Sequence, residues 1–243
     1  MFKQLPHLDR ITPEASEVGA VNTMYVQDDP VTGKRLLCGT NTDVAGIREA
    51  FYQNVKDRTI FERRPGMVVG GGGAARSAVY AMYKYMNIRT IYLVNRDLAE
   101  IQALLDQLAE QQEREKSRGQ PFELVHVTTA AEAAELEAPG AIVSCIPDFA
   151  PVSDAEKEAR RVLEVLLAKP SKGAILEMCY HPNPWTQIAD VSEKAGWQVI
   201  LGTEAMIYQG LEQDRYRTGL PADQLPVAAV KAAIANALNK SSL

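Results

Sequence analysis

Four consecutive glycines, Gly70 to Gly73, form the stretch of this chain whose residue types most directly suggest a chemistry. A short apolar run, Met67 to Val69, precedes them, and alanine-rich sequence of helical character follows. Glycine lets backbone N–H groups approach a ligand without an intervening Cβ, and a helix start offers unpaired N–H groups with a positive dipole end. A diphosphate is the ligand that suits such a turn. By itself, the pattern fits a flexible connection equally well.

The neighbouring segments favour a dinucleotide site. A helix is predicted from Ser77 to Tyr85, and a second buried strand from Arg89 to Val94. Strand, turn, helix and second strand make up the unit that binds a dinucleotide, with polar residues where the adenosine ribose lies. We therefore predict two groups of cofactor contacts: Gly70, Gly72, Gly73 and Ala74 at the diphosphate, and Asn95, Arg96 and Asp97 at the adenosine.

The composition bounds the class of protein. The chain has 243 residues, 46% hydrophobic and 23% charged, which is typical of a soluble protein with one large or two small domains. A net charge of −5 without a basic block argues against a nucleic-acid partner. No apolar run is long enough to span a membrane and no signal peptide opens the chain, so we predict a cytoplasmic protein. Cys38, Cys145 and Cys179 lack metal-ligand spacing, which predicts reduced thiols and no metal site.

Strands and helices are predicted to alternate from residue 44 to residue 203. This order predicts an α/β protein with a doubly wound parallel sheet, a dinucleotide-binding domain of the Rossmann type. Ahead of it we predict a helix over residues 4–18 and a hairpin of strands 20–26 and 35–38. Helices over 204–217 and 226–239 follow. We assign residues 1–43 and 204–243 to part of a smaller α/β substrate-binding domain.

Five motifs now combine in one order. They are Gly19-Ala20-Val21-Asn22-Thr23, Gly39-Thr40-Asn41-Thr42-Asp43, the glycine run, Asn95-Arg96, and Gly202-Thr203-Glu204-Ala205-Met206-Ile207-Tyr208-Gln209. The set resembles the shikimate/quinate dehydrogenase family over nearly the whole chain. The segment Glu177-Met178-Cys179-Tyr180-His181-Pro182 is most similar to the fungal members. The resemblance implies hydride transfer between NAD or NADP and a ring hydroxyl of shikimate or quinate, in quinate metabolism or aromatic amino acid biosynthesis.

The same resemblance implies roles for individual residues. Asp43 matches the catalytic aspartate, Asn22 and Gln209 match side chains that bind substrate hydroxyls, and Thr23 is a further substrate-site candidate. Tyr180 and Gly202 are expected near the cofactor, Tyr180 at its nicotinamide end. Each residue also has a simpler interpretation. Asn41 and Asp43 could cap the helix that begins at Val44, Asn22 could satisfy a neighbouring loop, and Gln209 could face solvent.

The chain departs from the family at its start. The position of the family's catalytic lysine falls on Met1, and Lys3 would point in roughly the opposite direction along a helix. The family's first strands, with their substrate-binding serines, have no counterpart here. We expect either a truncated dehydrogenase or a domain that has lost activity, with a fungal regulator of quinate catabolism as precedent. An unpaired sheet edge would result, so we predict self-association; a strictly monomeric profile at high concentration would contradict it.

The cofactor and the function each have two candidates. Arg96 could stack on the adenine or meet the 2′-phosphate of NADP, whereas Asp97 would repel that phosphate and could accept the ribose hydroxyls of NAD. We favour NAD and keep NADP possible. For the function, we favour a shikimate- or quinate-oxidising enzyme, impaired by the missing lysine. The alternative is a non-catalytic regulatory or binding domain that senses a cofactor or a pathway metabolite.

Overall fold

The computed structural model of the protein describes residues 7–221 and 224–241. Strands in these ranges are β1 (Arg10–Ile11), β2 (Thr23–Asp28), β3 (Arg35–Thr40), β4 (Gly66–Val69), β5 (Thr90–Val94), β6 (Glu123–His126), β7 (Ala141–Ser144), β8 (Ala174–Glu177) and β9 (Gln198–Leu201). Helices are α1 (Pro13–Val18), α2 (Asp43–Asn54), α3 (Gly73–Lys84), α4 (Leu98–Ser117), α5 (Ala130–Glu135), α6 (Asp154–Ala168), α7 (Gln187–Lys194), α8 (Gly202–Thr218) and α9 (Val227–Ser241), with a 3₁₀ turn at Arg58–Ile60.

Six of the described strands form one parallel sheet in the order β6-β5-β4-β7-β8-β9. The chain first moves outward from β4 to β6 and then returns to the centre at β7. Because the direction reverses between β4 and β7, the loops after these two strands diverge and leave a crevice at the carboxyl ends. The predicted α/β class and parallel sheet are confirmed, and the predicted strands and helices of this region are all found, with boundaries shifted by up to four residues.

Helices cover both faces of this sheet. Successive side chains of a strand point to opposite faces, so Val68, Val143 and Leu176 enter one core and Val69, Ile142 and Ile175 enter the other. Helices α2, α3 and α4 supply the first core, and α6 and α7 supply the second. The strand residues are buried on both sides, which explains their nearly continuous apolar runs.

A smaller sheet of order β1-β3-β2 precedes the large one. β2 and β3 form the predicted antiparallel hairpin, and β1 pairs in parallel with β3 through Arg10 and Cys38. The helix predicted over 4–18 is wrong for residues 7–12, and residues 4–6 lie outside the described ranges. Thr12 is extended (ψ 151°), because it precedes Pro13, and its hydroxyl accepts the N–H of Ala15 at 3.3 Å. The helix therefore begins only at Pro13.

The outer strand β2 exposes apolar side chains. Met24 and Val26 are each about half exposed, and Ile11 of β1 is similar. The predicted self-association concerns this edge and stays a prediction, as does the division into two domains. Among the described residues, no helix combines the length and apolar character needed to cross a membrane.

Candidate cofactor and substrate site

The first two glycines of the run are required by the packing of the protein itself. Gly70 has φ 121°, a conformation that other residues avoid, and its N–H donates to the Val94 carbonyl at 2.8 Å. A Cβ on Gly71 would lie 2.7 Å from both the Asn95 amide nitrogen and the Glu100 Cβ. These two positions therefore shape the turn between β4 and α3.

Gly72 is different, because a Cβ there would meet no described atom within 4 Å. It is the exposed N-cap of α3, and its carbonyl accepts the N–H of Arg76 at 3.2 Å. The amides of Gly73, Ala74 and Ala75 precede that first intrahelical bond and are those that a helix leaves unpaired. Open space beside unpaired amides at a helix start is the geometry that suits a diphosphate, so the residues present fit a dinucleotide.

A crevice of about 340 Å³ opens between this turn and the loop after β7. Of the predicted cofactor residues, it is lined by Gly70, Gly72, Asn95 and Arg96. Its wall also contains Cys145, together with residues that the sequence analysis missed: Glu100, Phe149, Glu156 and Arg160. They come from α4, the loop after β7 and α6, so the fold, and not a local motif, collects them.

Asp97 lies beside the crevice, outside its wall. Its carboxylate accepts the N–H groups of Ala99 (2.8 Å) and Glu100 (3.2 Å), which makes it the N-cap of α4. An aspartate followed by a glutamate three residues later is a helix-start signal, and this signal was available in the sequence. The carboxylates in the crevice wall belong to Glu100 and Glu156, and Glu100 accepts a hydrogen bond from the Asn95 amide at 2.8 Å.

The predicted substrate residues meet where β2, β3 and α2 converge. The side-chain oxygen of Asn22 accepts the Thr42 N–H and the Thr23 hydroxyl, both at 2.9 Å. Asn22 thus ties down a neighbouring loop, as the simpler interpretation proposed. Burial raises the pKa of the nearby Asp43 carboxyl, and the interaction with Asn22 opposes that rise.

Asn41, and not Asp43, ties down the start of α2. The side-chain oxygen of Asn41 accepts the N–H groups of Asp43 (3.1 Å) and Val44 (3.4 Å). Asp43 is the first residue of α2 and is half-buried. Burial raises its pKa more than the neighbouring Asn22 lowers it. A half-buried carboxyl with a raised pKa is suited to exchange a proton with a bound hydroxyl.

The Asp43 region and the glycine turn lie on the same side of the large sheet. The Asn41 oxygen also accepts the Ser77 hydroxyl of α3 at 3.3 Å, one turn into the helix that Gly72 caps. Cys145, which packs 3.3 Å from a Cβ at Gly70, feels the charge of Asp43 as well. Burial above all, then Glu177 and Asp43, raise the pKa of this thiol. Cys145 therefore bridges the two ends of the candidate site.

Helix α8 brings glutamines to the Asp43 end. It packs so closely on α2 that a Cβ at Gly46 would lie 3.1 Å from the Gln209 Cβ. Gln213, one turn later, donates to the Thr42 hydroxyl at 3.4 Å. Gln209 thus faces α2, as a substrate residue would need to. Gln213 was missed, although its spacing of four residues from Gln209 places both on one helix face.

Gly73, Ala74 and Asp97 lie outside the crevice wall but next to residues that form it, whereas Tyr180 and Gly202 lie on other segments. Tyr180 is 38% exposed in the loop after β8. Gly202 is buried at the start of α8, where a Cβ would lie 2.6 Å from the Met178 carbonyl. Close backbone packing already requires a glycine at this position. A cofactor contact by either residue stays a prediction.

A buried carboxyl, missed in the sequence, lies at the carboxyl end of β8. Glu177 is 1% exposed, and one of its oxygens accepts the Cys179 N–H at 2.9 Å. Its other oxygen and the Ser144 hydroxyl beside it have no hydrogen-bond partner among the described residues. Burial raises the pKa of Glu177 to about 7, and the charge of Asp148 acts in the same direction.

The dependence of the free energy of unfolding on pH should reflect the titration of Glu177. Its pKa of about 7 in the folded chain exceeds the ordinary 4.5, so the folded state binds the proton more tightly. The contribution of this carboxyl to the free energy of unfolding is fully present below pH 4.5 and is lost as pH rises through about 7. We expect the free energy of unfolding to fall by roughly 2–3 kcal/mol more over this range in the wild type than in Glu177→Gln, as measured by urea denaturation. Glu164 is exposed, so Glu164→Gln should keep the wild-type dependence of the unfolding free energy on pH. An equal loss of that dependence in both variants would contradict the assignment of the effect to Glu177.

The strand order, the crevice at the reversal and the glycine turn define the Rossmann class of α/β proteins. No protein-family model matches the chain. It is 46% identical over 220 residues to a quinate dehydrogenase of Emericella nidulans, a match that covers 88% of this chain and 65% of that protein. By this sequence and by its fold, the chain belongs to the shikimate/quinate dehydrogenase family.

Solved structures agree with this assignment. The dehydroquinate dehydratase and shikimate dehydrogenase part of the S. pombe AroM protein superposes with a TM-score of 0.72 at 27% identity, covering 92% of this chain and 39% of that one. A shikimate 5-dehydrogenase of Thermus thermophilus in complex with NADP(H) and shikimate gives a TM-score of 0.61 at 26% identity, covering 88% and 68%.

Proposed function

We propose that this chain provides the cofactor site and part of the substrate site of an oxidoreductase that transfers a hydride between NAD and a ring hydroxyl of quinate or shikimate. The observation that carries the proposal is the placement of Asp43 and Asn22 on the side of the sheet where Gly72 opens the turn. The 46% identity to a quinate dehydrogenase supports the reaction class and favours quinate. Since the chain spans 65% of that relative, the activity of the whole protein is part of the proposal.

The chain's own residues would bind the substrate and move its proton. Gly72 and the amides at the start of α3 would hold the dinucleotide, which would supply the acceptor or donor of the hydride. Asp43 accepts a hydrogen bond from the reacting hydroxyl and stabilises the proton that leaves it. Asn22 and Gln209 orient the remaining hydroxyls by neutral hydrogen bonds. The family's lysine would be Asp43's partner in proton transfer; its position, Met1, and the nearby Lys3 lie outside the described residues.

Formation of NADH tests the proposal. The rate should be measured with quinate and with shikimate, on this chain and on the longer polypeptide that matches the full length of the relative. Cofactor and substrate binding should be measured in parallel by calorimetry. Turnover of either substrate supports the enzyme. Binding of cofactor or substrate without turnover in both polypeptides would overturn it and favour the regulatory or binding domain.

A further inference from the structure

An ion pair spans the adenosine end of the crevice. Arg96 follows β5, Glu156 lies in the first turn of α6, and their side chains are hydrogen-bonded although 60 residues separate them. Both residues line the crevice and also a second, shallower groove beside it. The pair therefore lies at the boundary between the two grooves, where a Rossmann protein receives the adenosine ribose.

Glu156 is held in place by the backbone at the start of its helix. One carboxylate oxygen accepts the N–H groups of Val152 (2.9 Å) and Ser153 (2.8 Å), and the Ser153 hydroxyl accepts the Glu156 N–H at 3.2 Å. These backbone hydrogen bonds, together with Arg96, lower the pKa of Glu156 to about 2. The negative charge at this point is therefore permanent and fixed in position.

The charges at this end of the crevice are balanced. Its wall holds two arginines, Arg96 and Arg160, and two glutamates, Glu100 and Glu156. Glu100 is engaged by Asn95. A 2′-phosphate brings close to two negative charges and needs a cation that is free to meet it. Arg96 is already paired with a carboxylate that is itself anchored. Arg160, the other cation of the wall, lies one turn after Glu156 on the same face of α6, so a phosphate that meets Arg160 also approaches the Glu156 carboxylate.

We propose that Glu156 determines the choice of cofactor by excluding the 2′-phosphate of NADP. The inference rests on the proposed dinucleotide site. A phosphate that approached Arg96 would displace Glu156 from the arginine but leave its carboxylate nearby, tied to the amides of residues 152 and 153. The unphosphorylated ribose of NAD carries no charge and meets no such repulsion. Removal of one fixed charge at about 4 Å in a solvated site should change affinity by about tenfold.

The test compares Glu156→Gln with Glu158→Gln. Glutamine keeps the size of the side chain and an oxygen that can accept the Val152 and Ser153 N–H groups. Glu158 is a matched control on the same helix: it accepts the Ala130 N–H at 2.8 Å and pairs with Arg161 at 2.8 Å, but it lies outside both grooves. Dissociation constants for NAD, NADP, AMP and 2′-phospho-AMP should be measured by calorimetry at fixed ionic strength.

We expect Glu156→Gln to raise the affinity for NADP and 2′-phospho-AMP by about tenfold and to leave the affinity for NAD and AMP within about twofold of the wild-type value. Glu158→Gln should leave the ratio of the NADP and NAD dissociation constants unchanged. Adding Arg96→Gln to Glu156→Gln should abolish the gain in affinity for NADP. Tighter NADP than NAD in the wild type, or an equal change for both cofactors in Glu156→Gln, would overturn the role of Glu156 and leave the proposed function intact. Failure of the wild type to bind either dinucleotide would instead overturn the proposed function.

Discussion

Replacing Asp43 by asparagine is expected to lower turnover of quinate or shikimate by roughly 100- to 10,000-fold, the usual contribution of a positioned acid or base. Asparagine retains the shape of the side chain but cannot take up a proton from the substrate hydroxyl. Asn41 already ties down the start of α2, so the helix does not depend on the Asp43 carboxylate. We therefore expect the free energy of unfolding and the affinity for NAD to change little. Steady-state kinetics, denaturation and calorimetry provide the three measurements.

The pH profile makes this prediction specific to ionisation. Burial raises the pKa of Asp43, and the reaction needs its ionised form. Wild-type kcat/KM should therefore fall as pH falls through that raised pKa, and the residual activity of Asp43→Asn should lack this acidic limb. Asp57→Asn is the control, because Asp57 caps the 3₁₀ turn beyond the other end of α2 through the Thr59 N–H at 3.0 Å. An unchanged rate in Asp43→Asn would remove this residue from the mechanism.

Introducing aspartate at Gly72 is expected to weaken NAD binding by at least about 100-fold without destabilising the protein. The position has an ordinary extended conformation (φ −77°) with open space around it, so a side chain fits the fold. Aspartate is also a better N-cap than glycine by a few tenths of a kcal/mol. The same side chain would occupy the space proposed for the diphosphate and repel it.

Three further variants separate volume from charge. Gly72→Asn is a neutral cap of the same size as aspartate, so its affinity for NAD should lie between those of the wild type and Gly72→Asp. Gly72→Ala tests volume alone, and Gly210→Ala, at another open glycine on α8, is its matched control. Calorimetry gives the affinities and thermal unfolding the stabilities. Full NAD affinity in Gly72→Asp, with the fold intact, would place the diphosphate elsewhere.

Local signals were sufficient to predict most of the fold. Each strand of the large sheet is a short apolar run bounded by a turn and followed by helical sequence, so the parallel order followed from neighbouring residues alone. β1 was missed because it has two residues, and these are held by pairing with β3, 28 positions away at Arg10 and Cys38. A long-range ladder of that kind leaves no periodic pattern in the sequence. The predicted helix failed there although Pro13 signalled its true start.

The candidate site divides in the same way. The glycine run, Asp43, Asn22 and Gln209 were found because they belong to motifs. Glu177 also belongs to a motif but received no role there, and Glu156 belongs to none, because each acquires its meaning from a distant neighbour. Glu156 matters through Arg96, and Glu177 through its burial beside Ser144 on the adjacent strand. Asp97 caps α4 through a local signal that the sequence contained, and its contact with the ribose stays a prediction.

The amino-acid sequence by itself therefore determined the class of fold, the position of the glycine turn and the family. These depend on backbone conformation and on the periodicity of apolar residues, which are encoded within a few positions of one another. Only the tertiary structure decided which carboxylates face the cofactor crevice, which one caps a helix and which one is buried with a raised pKa. Electrostatic interactions and burial depend on distances in space, and the chain sets those distances only when α4, α6 and β8 have packed around the same crevice.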